Sequence, residues 1–127
     1  PCLAATEANV RYAGHQGPLV ERLNQGKLGF QRALAAGVTI ACGSDAGVFA
    51  HGQNVRELEL MVEYGMTPVQ ALAAATTVAA EVLGSAQFGA VRPGAIGFVV
   101  LQANPLQDIT ALRRVVAVVR ENDELQY

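Results

Sequence analysis

The stretch that most constrains this chain is Gly37 followed by Val38-Thr39-Ile40-Ala41-Cys42 and then Gly43-Ser44-Asp45-Ala46-Gly47. A short apolar, β-branched run bounded by glycines predicts a buried strand over 38–42. Such a strand delivers the Asp45 carboxylate just past its carboxyl end, flanked by small residues. In α/β proteins ligands and catalytic groups gather at that edge. A carboxylate placed there can bind a hard metal or zinc, or act as general base toward a metal-activated water. Ser44 or Asp45 can equally make a turn or cap the next helix. Spacing alone leaves these alternatives open. A phosphate-binding loop is a poor fit, because no Gly-Lys-Ser/Thr follows.

The flanks of this stretch read as helices. Cys2 to Ala5 is expected to be the last turn or strand end of an element begun upstream. Thr6 to Gly17 reads as loop or a short helix. Pro18 suits a first helical turn, and Leu19, Leu23, Phe30, Ala33 and Leu34 recur at helical spacing. The spacing predicts a helix over 19–36, closed by Gly37 and leading directly into the strand. After Asp45 a loop runs to Gln53. A helix begins at Gln53 or Asn54, with Val55, Leu58, Met61 and Val62 facing the core and Arg56, Glu57, Glu59 and Glu63 mostly on the other side. Gly65 ends it. Thr67-Pro68-Val69-Gln70 is a capping box with proline at the first helical position. The alanine-rich helix it opens is predicted to run to about Leu83 and close at Gly84.

From Gln87 the character changes. Glycines and Pro93 punctuate the chain, Phe98 to Leu101 reads as a strand, and Asn104-Pro105-Leu106 as a turn. Asp108 to Leu112 is one helical turn, and Val115 to Val119 a second strand before a polar tail over Arg120 to Tyr127. The expected boundary lies near Ser85, giving 1–84 as αβ and helical and 85–127 as β-rich.

Composition limits the function classes. The chain has 127 residues, enough for one ordinary core, and is 51% hydrophobic and 16% charged, which excludes a disordered chain. The net charge of −2, without a basic run, argues against nucleic acid or an anionic membrane as partner. No apolar run approaches the roughly 18 residues of a membrane span. Cys2 and Cys42 belong to no metal-binding or redox pattern, and read as two reduced thiols in a cytoplasmic protein. A chain that opens on Pro1 is expected to be an excised domain or a fragment.

Two histidines complete the chemical inventory. His15, between glycine-rich neighbours, reads as a surface residue. His51, in Ala50-His51-Gly52-Gln53-Asn54, reads as solvent-exposed when taken alone. Near Asp45 and just ahead of a helix start, it becomes a substrate contact or an orienting partner. One aspartate and two distant histidines are too few for a catalytic metal site, which takes about three protein ligands.

Taken in order, several motifs resemble the carboxyl-terminal part of the amidohydrolase superfamily, in its imidazolonepropionase and Xaa-Pro dipeptidase-like branch. They are Gly37 to Gly47, His51-Gly52-Gln53-Asn54 with Glu57-Leu58, and Gly65-Met66-Thr67-Pro68 with Ala71-Leu72 and Ala74-Ala75-Thr76. Gly84, Gly89, Arg92-Pro93-Gly94, Val99-Val100-Leu101 and Asn104-Pro105-Leu106 continue the series. The resemblance covers about Leu19 to Val119. It implies an α/β architecture, the last part of a (β/α)8 barrel (1–84) followed by strands of a small β-sandwich (85–127). It implies that 38–42 is the eighth barrel strand. It implies that Asp45 is both a ligand of a divalent metal, zinc first, and the group that carries a proton from the hydrolytic water to the leaving nitrogen. His51 and Asn54 match the loop bordering the substrate pocket.

The departures bear on activity. The family's His-x-His, its carboxylated lysine or glutamate and two further histidines would lie upstream of Pro1. The usual Pro-Gly-Lys-x-Ala-Asp is here Pro93-Gly94-Ala95-Ile96-Gly97-Phe98, and the usual Asp-Gly after the strand is Gln102-Ala103. Two functions follow. One is the carboxyl-terminal part of a metal-dependent hydrolase of amide, peptide or cyclic-amide C–N bonds, acting on a small molecule or dipeptide and expected to form homo-oligomers. The other is a truncated, non-catalytic domain acting in assembly.

Overall fold

The structure, a computed structural model, describes residues 1–14, 17–85, 87–120 and 123–126. His15 lies outside the described residues. The elements run α1 (Leu3–Tyr12), α2 (Gly17–Ala35), α3 (Val55–Glu63), α4 (Pro68–Ala75), α5 (Thr77–Val82), β1 (Gly97–Leu101), a 3-10 turn (Ile109–Arg113), β2 (Val115–Arg120) and β3 (Asp123–Gln126). The chain is thus mixed, with its α-helices ahead of its sheet.

The glycine signals hold where they end helices. At the end of α2, Gly37 takes φ 69°. Its N–H donates to the Leu34 carbonyl and the Val38 N–H to the Ala33 carbonyl, at 3.1 and 3.0 Å. That is a Schellman closure, in which the αL residue turns two amides back onto orphan carbonyls. Gly65 closes α3 by the same pair of bonds, from Gly65 to Val62 and from Met66 to Met61. The capping box is present: the Gln70 N–H donates to Thr67 Oγ1, and Gln70 Oε1 accepts from the Thr67 N–H at 2.8 Å.

Four expectations are corrected. Residues 38–42 join no strand ladder among the described residues. Val38 is 55% exposed rather than buried. The physical reason is that a strand exists only as one side of a ladder, and the sheet of this chain is formed elsewhere. One backbone bond docks the segment, from the Cys42 N–H to the Ala74 carbonyl at 2.9 Å, an acceptor in the last turn of α4. Second, the predicted helix from Thr67 to Leu83 breaks at Thr76, whose φ and ψ are −125° and −93°. Its hydroxyl donates to the Leu72 carbonyl at 2.6 Å, a local bond that competes with the helix ladder. Third, Leu3–Tyr12 is one continuous helix, where the last turn or strand end of an upstream element was expected over Cys2 to Ala5 and a loop or a short helix over Thr6 to Gly17. Fourth, the polar tail contributes β3.

The sheet is antiparallel in the order β1-β2-β3. Phe98 pairs with Val119, Val99 with Val118 and Val100 with Ala117, and the register shifts between Val100 and Leu101. Phe98, Val99 and Val116 remain about half exposed. The main core lies among the helices: Leu3, Phe30, Leu60, Met61, Tyr64 and Ala71, joined from the second half by Ile109. Phe30 meets Tyr64 edge to face at 6.4 Å.

The helical face of α3 also differs from expectation. Glu57, Leu60 and Met61 of α3, with Tyr64 one turn on, are its buried residues, and Glu57 has no exposed surface at all. The face is set by what α1 offers. Glu57 Oε1 accepts from the Leu3 N–H at 3.0 Å, and Oε2 from the Ala4 N–H at 2.7 Å. The carboxylate therefore caps α1 from another helix, satisfying two amides that its first turn leaves orphaned.

Candidate active site

Asp45 ends the extended segment with φ 53°, the one positive φ outside glycine among the described residues. Aspartate tolerates this αL conformation better than most residues. Its side chain is exposed and makes no hydrogen bond or ion pair among the described residues. It lines a cavity of about 160 Å³ with Cys2, Thr6 and Asn9 of the α1 segment and Leu19 and Arg22 of α2. Sequence reasoning missed Thr6, Asn9 and Arg22, because only the packing of α1 and α2 brings them to Asp45.

Asn54 stands just ahead of α3 and does not cap it with its side chain. Its Nδ2 instead donates to Ser44 Oγ at 2.9 Å, across the loop. That bond ties the start of α3 to the residue before Asp45. His51 is exposed in the same loop, with no bond among the described residues. The structure thus brings Asn54 to the Asp45 turn, and leaves His51 outside the cavity lining.

A second region, of about 290 Å³, lies between α1, the 49–53 loop and α3. Its charges are internally paired. Arg56 donates Nε and NH2 to the two Glu7 oxygens at 2.9 and 2.6 Å. Arg113 donates NH2 to Glu59 at 2.9 Å and NH1 to Gln53 at 3.1 Å. Glu7 is held below the ordinary carboxylate value by the Arg56 hydrogen bonds, and Glu59 by those from Arg113. This network fastens α3 to α1 and to the 3-10 turn, and with the Glu57 cap it fixes the helix that Asn54 precedes.

Cys42, half-buried beneath the same turn, has its thiol pushed up to about 11, first by burial and then by the Glu57 charge. It is a packed thiol rather than a nucleophile. No group of three His, Cys, Asp or Glu side chains able to hold a metal occurs among the described residues. Asp45 therefore fits a metal centre as one unpartnered carboxylate donor and no more.

The amidohydrolase family model matches residues 4–121, nearly the whole chain. The chain belongs to the amidohydrolase family. Ochratoxinase of Aspergillus niger is 40% identical over 93 residues, which is 70% of this chain and 19% of that protein. This amidohydrolase chain superposes on a crystal structure of a Xaa-Pro dipeptidase with bound methionine in its active site, with a TM-score of 0.87 and 28% identity. The match covers 100% of this chain and 34% of that one. A putative prolidase from Bifidobacterium longum gives 0.80 at 30% identity, covering 98% and 33%. The chain therefore spans about a fifth of its curated relative and a third of its structural neighbours. The family expected from the ordered motifs is the one found.

Proposed function

We propose that this chain is the carboxyl-terminal part of a metal-dependent amidohydrolase that cleaves a C–N bond in a small amide or dipeptide. In this reading 1–84 end a (β/α)8 barrel and 85–127 are strands of a β-sandwich. The unladdered segment 38–42, exposed at Val38 and Thr39, is then a barrel strand whose neighbours lie in the rest of the protein. The observation that carries the reading is Asp45: an unpartnered carboxylate, at the end of that segment, in a chain of this family.

A divalent cation, zinc first, would be held by Asp45 together with ligands from outside this chain, and would supply an acidified water. Asp45 would accept a proton from the hydrolytic water at a carboxylate oxygen while the water oxygen adds to the carbonyl carbon, and would hand that proton to the leaving nitrogen as the C–N bond breaks. The products are a carboxylate and an amine. The bond from Asn54 to Ser44 holds the turn in place, and His51 and Asn54 border the substrate. The relatives point to the bond class: one is named a Xaa-Pro dipeptidase and another an ochratoxinase. Two free cysteines fit a cytoplasmic setting, and no helix among the described residues is long and apolar enough to cross a membrane.

The test is hydrolysis of Xaa-Pro dipeptides by the full-length protein. Asp45→Asn keeps the shape and the αL preference, and is expected to lower kcat by about a hundredfold or more. A chelator should abolish turnover and zinc restore it. Undiminished turnover by Asp45→Asn sinks the reading. A second reading, a non-catalytic assembly module, is favoured by the exposed apolar residues of the sheet, Phe98, Val99 and Val116. Light scattering on the chain decides it: a monomer refutes assembly through that face, and homo-oligomers support it.

A further inference from the structure

Arg113 reaches from the second half of the chain to the loop that follows Asp45. It ends the 3-10 turn, which gives it a firm base. Ile109 and Ala111 of that turn are buried, and Asp108 Oδ1 accepts from the Thr110 N–H at 2.9 Å. All three guanidinium nitrogens are engaged. Nε and NH2 donate to the two Glu59 oxygens on α3, and NH1 donates to Gln53 Oε1 at 3.1 Å. The Arg113 side chain is 39% exposed, where an isolated ion pair contributes little. A two-pronged fork nevertheless fixes the direction of the group. Its third nitrogen is thereby aimed at Gln53.

Gln53 ends the loop that begins after Asp45. Its N–H donates to the Ala50 carbonyl at 3.3 Å, and its carbonyl accepts from the Arg56 N–H at 3.0 Å. The next residue, Asn54, donates to Ser44 Oγ at 2.9 Å, directly beside Asp45. A continuous series of contacts therefore runs from Arg113 through Gln53 and Asn54 to the Asp45 turn. Within the loop, Gly47 and Gly52 take φ 125° and 87°. Two glycines give so short a segment many alternative paths, so ties at its end decide which one it keeps.

We propose that Arg113 is a positioning residue for the Asp45 turn, acting through Gln53 and Asn54. The inference rests on the amidohydrolase reading, in which Asp45 moves the proton. Arg113 touches neither the substrate nor the reacting atoms. It holds the end of the loop so that the Asp45 carboxylate stays aligned for proton transfer. Alignment of this kind acts on rate, and a misplacement of about 1 Å costs about a hundredfold. The β-rich half of the chain thus helps to set the rate at a carboxylate supplied by the first half.

The test uses the full-length protein and two readouts, hydrolysis of Ala-Pro and hydrogen exchange over 46–53. Arg113→Ala is expected to lower kcat about tenfold and leave KM within about twofold, since alignment is used in the transition state. Gln53→Ala leaves the Glu59 pair intact and should lower kcat to a similar degree. The double variant should fall no further than Arg113→Ala alone, because both substitutions remove one tie. Arg113→Lys replaces the fork by a single ammonium, and should restore the urea midpoint but only part of kcat. Exchange over 46–53 should be faster in Arg113→Ala and Gln53→Ala. Arg11→Ala, which removes a positive charge from the same region, should leave both readouts at the wild-type level. Wild-type kcat in Arg113→Ala overturns the proposal, as do additive losses in the double variant. Full recovery of kcat by Arg113→Lys also overturns it, assigning the effect to charge at Glu59 alone. Faster exchange over 46–53 in a protein whose wild type does not hydrolyse Ala-Pro overturns the hydrolase reading and leaves the positioning contact standing.

Discussion

Glu57→Ala is expected to destabilise the chain by about 2–4 kcal/mol. The carboxylate has no exposed surface, and it accepts from the Leu3 and Ala4 amides at 3.0 and 2.7 Å. Leu3 and Ala4 are themselves buried, at 6% and 3% exposure. Removing the acceptor strands two buried N–H groups, at about 1–3 kcal/mol each. Against this stands the relief of a buried charge. Burial raises the Glu57 carboxyl above its ordinary value, more than the two amides lower it. Glu57→Gln keeps one acceptor oxygen and removes the charge, so its cost should be smaller, about 1–2 kcal/mol. Urea unfolding followed by circular dichroism gives both values, read as a shift in midpoint at constant slope. An alanine variant within about 0.5 kcal/mol of wild type would refute the cap. The pH dependence supplies an independent check. A raised native value means the folded chain holds this proton more tightly than the unfolded one. Its contribution is full below the ordinary glutamate value of 4.5 and is lost as pH rises through the raised native value. Glu7 and Glu59, both lowered by arginines, act in the opposite sense, and their contribution is lost as pH falls below 4.5 through their native values. Glu57→Gln should therefore remove the decline on the alkaline side and leave the acid limb unchanged.

Other outcomes follow from local geometry. Arg56→Ala should cost about 1–2 kcal/mol, because it deprives Glu7 of two charge-assisted bonds at a part-exposed site, and 1 M salt should shrink the difference. Gly89→Ala should destabilise by more than about 1 kcal/mol in the same unfolding assay, since φ is 83° and the new Cβ would lie 2.6 Å from the Thr76 carbonyl oxygen. Alkylation at pH 8, followed by peptide mass mapping, should label exposed Cys2 first; equal labelling of Cys42, whose thiol is pushed up to about 11, would contradict its burial.

Local chemistry made much of this chain legible in the sequence. The glycine closures at Gly37 and Gly65, the Thr67–Gln70 capping box, the strand runs at 98–101 and 115–119 and the turn after Asp108 depend on residues a few positions apart. Backbone conformations and caps at that range are dictated by side chains the sequence displays. The family was legible for a related reason: an ordered series of such local signals is specific even where each one is weak. Asp45 was singled out in the same way, from the glycines around it.

Tertiary structure decided what depends on partners. Residues 38–42 have strand composition, yet no ladder forms, because pairing is supplied by another strand and not by the segment itself. Thr76 breaks a helix that propensity alone would continue, where its hydroxyl bonds Leu72 and Gly89 packs on its carbonyl. Glu57 looked like a solvent-facing charge, and only the amides of a helix 54 positions away make its burial tolerable. The spacing of Glu57 to Leu60, Met61 and Tyr64 carried that face, but charge outweighed it in a one-dimensional reading. Arg22 and Asn9 reach Asp45 through the packing of α1 and α2. A sequence fixes which groups are available and how the chain turns locally. Which groups meet, and so which charge is satisfied and which is left to bind a ligand, is set by long-range packing.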